Sequence, residues 1–175
     1  MIEVICGPMF SGKTTEMLRR VRRAEIAGVP VKILKPVVDT RAGDGLTSTH
    51  DAIKAACVTC APSDVTSLRE VIGSARVVGI DEIQFFDPAI LGAVRSLSSE
   101  GIRFVISGLD MDWKGTPFDN MCWLLGIADK IKKLSAVCMT CGGDATRTKR
   151  KVASESEVLI GGTESYEARC ERCWV

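Results

Sequence analysis

The chain has almost no net charge. Its 23 basic and 22 acidic residues leave +1, which argues against a broad basic surface for nucleic acid and against an acidic tail. Long apolar runs are also missing. The longest fall short of ten residues, too few for the roughly 20 that a membrane-spanning helix needs. A secretory leader is not evident either, because Glu3 interrupts the apolar start and a glycine-rich loop opens at Gly7. A cytoplasmic protein is expected. Histidine is reduced to His50 alone, which reads as orienting a loop through Asp51 rather than as a catalyst. No internal repeat and no low-complexity tract is visible.

What is present describes an ordinary globular chain. With 175 residues, 46% hydrophobic and 26% charged, it can build one core domain and a small appendage. Eight cysteines are present. Six of them fall in C-x-x-C pairs, which in a reducing compartment favours metal binding over disulfides.

Apolar β-branched runs alternate with helical patterns along the first three quarters. Residues 2–6 read as a strand, 12–27 as a helix with Met17, Leu18, Val21 and Ala24 on one face, and Gly28 as its stop. Residues 31–34 read as a second strand closed by Lys35 and Pro36, 65–73 as a helix, 76–80 as a third strand, 88–98 as a helix and 104–107 as a fourth strand. Such alternation predicts an α/β fold, a mostly parallel sheet flanked by helices. Residues 39–51 read as a long polar loop. Near Ala136 the character changes to Cys, Gly and charge. The expected division is therefore 1–134 for a nucleotide-binding domain and 135–175 for a small metal-pinned one.

Three motifs carry chemistry. The first, GPMFSGKTT at residues 7–15, matches G-x-x-x-x-G-K-[ST] through Gly7, Gly12, Lys13 and Thr14, between a strand and a helix. Glycines let backbone N–H groups close around phosphate oxygens, and the helix start adds partial positive charge. Lys13 can reach the β and γ phosphates and the Thr14 hydroxyl suits Mg²⁺. The second, VVGIDEIQFF, ends a buried strand in Asp81 beside that loop, where Mg²⁺ needs an oxygen ligand, and follows it with Glu82 as a base. A base there activates either water, in an ATPase, or a substrate hydroxyl, in a kinase. The motif does not separate the two.

The third motif is Cys138-x-x-Cys141 with Cys170-x-x-Cys173, 28 residues apart. Four thiolates hold Zn²⁺ tetrahedrally and close its shell, which makes the metal structural. Arg147, Lys149, Arg150, Lys151, Arg169 and Arg172 stand nearby as counter-charge. Cys57 and Cys60 read instead as inert thiols of a buried strand, and Cys6 and Cys122 as core thiols. The long connection between the pairs reads either as a lid, with backbone amides of 158–162 on a planar base and Tyr166 closing over it, or as an exposed hairpin.

Taken in order, GPMFSGKT, DTR, THD, GIDEIQFF, SGLDMDW, CMTC, TKR, LIGGTESY and CERC resemble the zinc-containing thymidine kinases over nearly the whole chain. The resemblance implies a P-loop, RecA-like fold with a small zinc subdomain and a lasso-like lid. It also implies transfer of the γ-phosphoryl of ATP to the 5′-hydroxyl of thymidine, in nucleotide salvage for DNA synthesis. By the same resemblance Glu82 is the catalytic base. Gly7, Pro8, Met9, Phe10, Ser11, Gly12, Lys13 and Thr14, with Asp81, Glu82, Ile83 and Gln84, make the ATP site. Thr14 and Asp81 hold Mg²⁺, and the four C-terminal cysteines hold Zn²⁺. Asp39 and Arg41 match a pair near the transferring phosphate.

The implied nucleoside pocket takes Met9, Phe85, Leu109, Trp113, Phe118 and Tyr166, with the main chain of Glu157, Val158, Leu159, Ile160 and Gly161 on the thymine edge. Trp113 stands where the family usually has phenylalanine, so it reads as a narrowed pocket or as core packing. A homotetramer inhibited by thymidine triphosphate is implied as well, with no nucleic-acid or membrane partner. The chain stops two residues after Cys173, which leaves no regulatory tail expected. A DNA-associated ATPase and a non-catalytic ATP-binding zinc module are the rival readings; near-neutral charge opposes the first and the placing of Glu82 the second.

Overall fold

A computed structural model describes residues 1–38, 46–48, 54–61, 68–153 and 161–174. In chain order the elements are β1 (Ile2–Cys6), α1 (Lys13–Ile26), β2 (Val31–Pro36), β3 (Leu46–Ser48), β4 (Lys54–Ala56), β5 (Val58–Cys60) and α2 (Leu68–Ile72). There follow β6 (Val77–Ile80), a 3₁₀ turn (Ile83–Phe85), α3 (Ala89–Ser99), β7 (Arg103–Gly108), α4 (Asp119–Ile127) and β8 (Lys130–Lys133). The C-terminal part adds β9 (Ala136–Val137), β10 (Asp144–Ala145), β11 (Arg147–Arg150), β12 (Tyr166–Arg169) and a second 3₁₀ turn (Glu171–Cys173).

Six strands form one sheet in the order β5-β2-β6-β7-β1-β8, and every pairing in it is parallel. Parallel sheets need cover on both faces, and two apolar clusters supply it. Alternation along β1 divides them: Val4 and Cys6 pack with α3 and α4, whereas Ile5 packs with Met17, Leu18, Val21 and Ala24 of α1. Helix α1 stops as its composition predicts. Gly28 takes a left-handed φ of 72°, its N–H bonds the Glu25 carbonyl at 2.9 Å, and the Val29 N–H reaches back to Ala24 at 3.0 Å. That pair of bonds satisfies carbonyls the last turn would leave open.

Strand order decides where the chemistry gathers. β7 lies between β1 and β6, with Cys6 beside Gly108 and Ile80 beside Ile106. The carboxyl ends of the three strands therefore open on one edge of the sheet, with Ser107 between the phosphate loop and Asp81.

Several details differ from the sequence reading. β2 runs on through Lys35 and Pro36, because Pro36 pairs with Cys60 of β5. Within the expected polar loop, the backbone of β3 pairs antiparallel with β4. The helix expected over 65–73 is described from Leu68, residues 65–67 lying outside the described ones. Cys122 is exposed rather than a core thiol, since α4 turns Asn120, Met121 and Leu124 inward. Cys6 is a core thiol: burial pushes its pKa up, and the Asp110 charge adds to the effect. Outer strand β8, read as KIKK, carries lysines that discourage edge-to-edge pairing.

Candidate active site

The phosphate loop leaves β1 through Gly7 and enters α1 through Gly12. Gly7 has φ 143°, and a Cβ there would stand 2.4 Å from the Leu134 carbonyl oxygen. Gly12 has φ 80° with open space around it, so only its backbone conformation demands glycine. Gly12 also caps α1 without a side chain. The first-turn N–H groups are thus left to an anion, which the helix dipole favours. Lys13 is 8% exposed, and its ammonium donates to the Pro8 carbonyl at 2.6 Å. The lysine is folded over its own loop, within a side-chain rotation of any phosphate placed there.

Thr14 and Asp81 meet from opposite sides of this loop. The Thr14 hydroxyl stands 3.2 and 3.1 Å from the two Asp81 oxygens. Asp81 also accepts the Ser107 hydroxyl at 2.6 Å and the Glu82 N–H at 3.1 Å. A buried carboxylate so well supplied with donors is held in one orientation. Such a donor set fits a hard divalent cation held by the threonine hydroxyl, with Asp81 reaching it directly or through water.

Glu82 begins the 3₁₀ turn at φ 52° and ψ 46°. A glutamate in this left-handed region costs about 1–3 kcal/mol and persists only where its surroundings hold it. Asn120 of α4 helps, donating its amide to the carbonyls of Ile83 at 3.1 Å and Phe86 at 2.8 Å. The Gln84 amide donates to Glu82 Oε2 at 2.6 Å and accepts the Leu109 N–H at 3.0 Å. Ile83, expected at the ATP site, lies wholly in the core.

Of the expected nucleoside-pocket residues, Phe85 lies in this turn and Leu109 is bonded to it through Gln84. Phe85 and Leu109 are half-buried and Met9 is buried; Phe118 caps α4 and packs on the core. Trp113 is half-buried rather than core, with the Arg150 guanidinium 4.4 Å from its ring centre. Arg150 also donates to the Tyr166 hydroxyl at 3.1 Å. The β11–β12 hairpin is thereby tied to the loop after β7. Gly161 is half-buried, while Glu157, Val158, Leu159 and Ile160 lie outside the described residues, as do Asp39, Arg41, His50 and Asp51.

The four C-terminal cysteines converge. Their sulfurs all lie within 4.8 Å of one another, and Cys141 and Cys170 are 3.7 Å apart. Tetrahedral Zn²⁺ with bonds of about 2.3 Å puts sulfurs roughly that far apart, so the site fits zinc. Backbone N–H groups, that of Cys170 foremost, pull the Cys138 thiol down to about 6. The Cys170 thiol and burial push Cys173 up to about 12. Among the described residues this is the one such cluster, and Cys57 and Cys60 stand apart from it on and beside β5.

Of the basic residues expected around the cluster, Arg169 feels it most directly. Its charge is reinforced first by Glu167, then by the Cys138 and Cys173 sulfurs. Arg147 turns to Glu171 at 2.6 Å and to the Trp174 ring, and Arg150 to Trp113.

Several functional candidates were not singled out in the sequence. Ser107 anchors Asp81, and Lys35, 1% exposed, follows Leu34, whose carbonyl accepts the Asp81 N–H at 2.9 Å. A lysine within a buried apolar strand is the one signal that was available for it. Asp110 is buried with its carboxylate 2.8 Å from Lys133, and its Oδ1 accepts no hydrogen bond among the described residues. The Thr148 hydroxyl takes the Met9 N–H at 3.0 Å.

A family model described as "Thymidine kinase" matches residues 1–174. The thymidine kinase of Bacteroides thetaiotaomicron is 44% identical over 175 residues, covering 99% of this chain and 86% of its own. That of Bacteroides fragilis strain YCH46 is 43% identical over 174 residues, with the same shares. Among solved structures, a DNA replication initiation factor is similar over 76% of this chain and 39% of its own, at a TM-score of 0.46 and 13% identity.

Proposed function

The chain belongs to the thymidine kinase family, and on that footing we propose that it transfers the γ-phosphoryl group of ATP to the 5′-hydroxyl of thymidine, giving thymidine monophosphate and ADP. The observation that carries this reading is the Glu82 carboxylate fixed one residue from Asp81, at the sheet edge where Lys13 and Thr14 also end.

Lys13 exchanges the Pro8 carbonyl for the β and γ phosphate oxygens, and the open N–H groups of the loop and α1 take the rest. Thr14 and Asp81 would hold Mg²⁺, which when bound would neutralise charge on the phosphates. Glu82 accepts the 5′-hydroxyl proton as the bond from O5′ to phosphorus forms and the bond from phosphorus to the β,γ-bridging oxygen breaks. Most of the acceleration then comes from alignment and charge neutralisation, with the base adding about 10² to 10⁴.

Met9, Phe85, Leu109, Phe118, Trp113 and Tyr166 enclose the nucleoside, and the main chain of 157–161 reads the thymine edge as a lid. The division into 1–134 and 135–175 belongs to the same reading, with Zn²⁺ on Cys138, Cys141, Cys170 and Cys173 anchoring both ends of that lid. A homotetramer, and inhibition by thymidine triphosphate, complete it; among the described residues no helix is long and apolar enough to cross a membrane. The test is ATP consumption by the purified chain with thymidine, with single-stranded DNA, and with neither. Stimulation by thymidine alone supports the kinase. Stimulation by DNA alone overturns it.

A further inference from the structure

Glu82 stands in a strained conformation, so its carboxylate is aimed by what grips it. Two amide side chains reach the turn that carries it, and they do different things. Asn120, 6% exposed, bonds only backbone carbonyls, those of Ile83 and Phe86, and so fixes the path of the chain. Gln84 bonds the carboxylate itself, at 2.6 Å from Oε2.

The orientation of the Gln84 amide follows from its other contact. The Leu109 N–H, 3.0 Å away, is a donor and can be met only by the amide oxygen. With Oε1 committed there, the NH₂ group must face Glu82. The seat for this amide is a missing side chain: a Cβ on Gly108 would stand 2.6 Å from Gln84 Oε1 and 2.7 Å from Ile83 Cγ2. Gly108 ends β7 at ordinary backbone angles, so the close approach, not the conformation, requires glycine there. Both ends of the amide are directed at the protein, which argues against the ATP contact that the resemblance implied for Gln84.

We infer that Gln84 is a positioning residue, whose amide, seated on Leu109 over Gly108, holds the Glu82 carboxylate in line with the hydroxyl it deprotonates. The inference rests on the kinase reading for its chemistry. A rigid sheet edge thereby reaches through one side chain to the base, and a base displaced by about 1 Å costs on the order of 10² in rate.

Two substitutions test it. Gln84→Met keeps length and loses both bonds; Gln84→Glu keeps the acceptor for Leu109 and loses the donor to Glu82. Both should lower kcat about 10- to 100-fold while KM for ATP and thymidine stays within about two-fold. Both variants should melt earlier than the parent, because each leaves a buried polar group without its partner, so the split of kcat against KM is the readout of positioning. A raised KM for ATP with kcat kept would make Gln84 an ATP contact and overturn the inference. So would a kcat in Gln84→Met within about two-fold of the parent. If the parent shows no thymidine-dependent turnover, the kinase reading fails instead. The positioning role is then judged from a crystal structure of Gln84→Met: a displaced Glu82 side chain upholds it, and an unmoved one overturns it.

Discussion

The main-chain N–H of Met9 donates to the Thr148 hydroxyl at 3.0 Å. A residue of the phosphate loop is thus bonded to β11, in the cysteine-bearing part of the chain, across a buried contact. Trp174 strengthens the joint by donating its indole N–H to the Thr148 carbonyl at 3.1 Å. Thr148→Val leaves the Met9 N–H buried without its acceptor, at a cost of about 1–3 kcal/mol. A lower melting temperature and a raised KM for ATP are expected, with Thr148→Ser close to the parent. An unchanged melting temperature and KM in the valine variant would show that the joint carries nothing.

Phe10 makes a second link between the same parts. At φ 67° it packs against the small cluster of Ala136, Cys138, Ala145 and Ala168. The cysteine site therefore supports the phosphate loop as well as any lid above it. Cys138→Ser should raise KM for ATP and for thymidine alike. Metal analysis should find one zinc per parent chain and less in the variant. A fully active parent purified without zinc would remove the premise.

Loss of the base should separate binding from turnover. Glu82→Gln keeps volume and hydrogen-bonding capacity, so affinities for ATP and thymidine measured by calorimetry should hold. Turnover should fall by about 10² to 10⁴. Near-parental turnover would dismiss Glu82 as the proton acceptor.

The two loop glycines should behave differently. Gly12→Ala meets open space and bears only the left-handed penalty, about 1–2 kcal/mol. Gly7→Ala must push the Leu134 carbonyl aside or move the loop. Denaturation of both variants should rank Gly7→Ala as the more destabilised, and its ATP affinity should fall further.

Acid should loosen the start of α1. Arg19 first, with Arg20, lowers the Glu16 pKa from 4.5 to about 2. A depressed carboxylate contributes stability that is complete above its unfolded value and fades as pH falls towards the folded one. Between pH 4.5 and about 2 the parent should therefore lose more stability than Glu16→Gln. Parallel stability curves for the two proteins over that range would refute the assignment.

Much of this was legible one residue at a time. The β-branched runs that became β1, β2, β6 and β7 are recognisable because a strand buried on both faces must be apolar throughout. The loop from Gly7 to Thr14 and the C-x-x-C pairs are recognisable because backbone conformation and metal geometry restrict local spacing. Strand β8 was missed, because KIKK lacks the pattern of a buried strand, whereas β5 was legible in the small apolar residues around Cys57 and Cys60. Cys122 was misread because a cysteine's burial depends on the face of α4 it occupies. Ser107, Thr148 and Arg150 fall in the SGLDMDW and TKR segments, but no local pattern assigns their partners.

The amino-acid order by itself determined the parts: a phosphate cradle, an acidic pair after a buried strand, and four thiols spaced for a metal. Those properties are set within a few bonds of each residue. Which of them meet was decided only by tertiary structure. Placing β7 between β1 and β6 put Ser107 on Asp81 and opened the space over Gly108 into which Gln84 reaches to hold Glu82. Such contacts join residues far apart along the chain, through a strand order that no local pattern encodes.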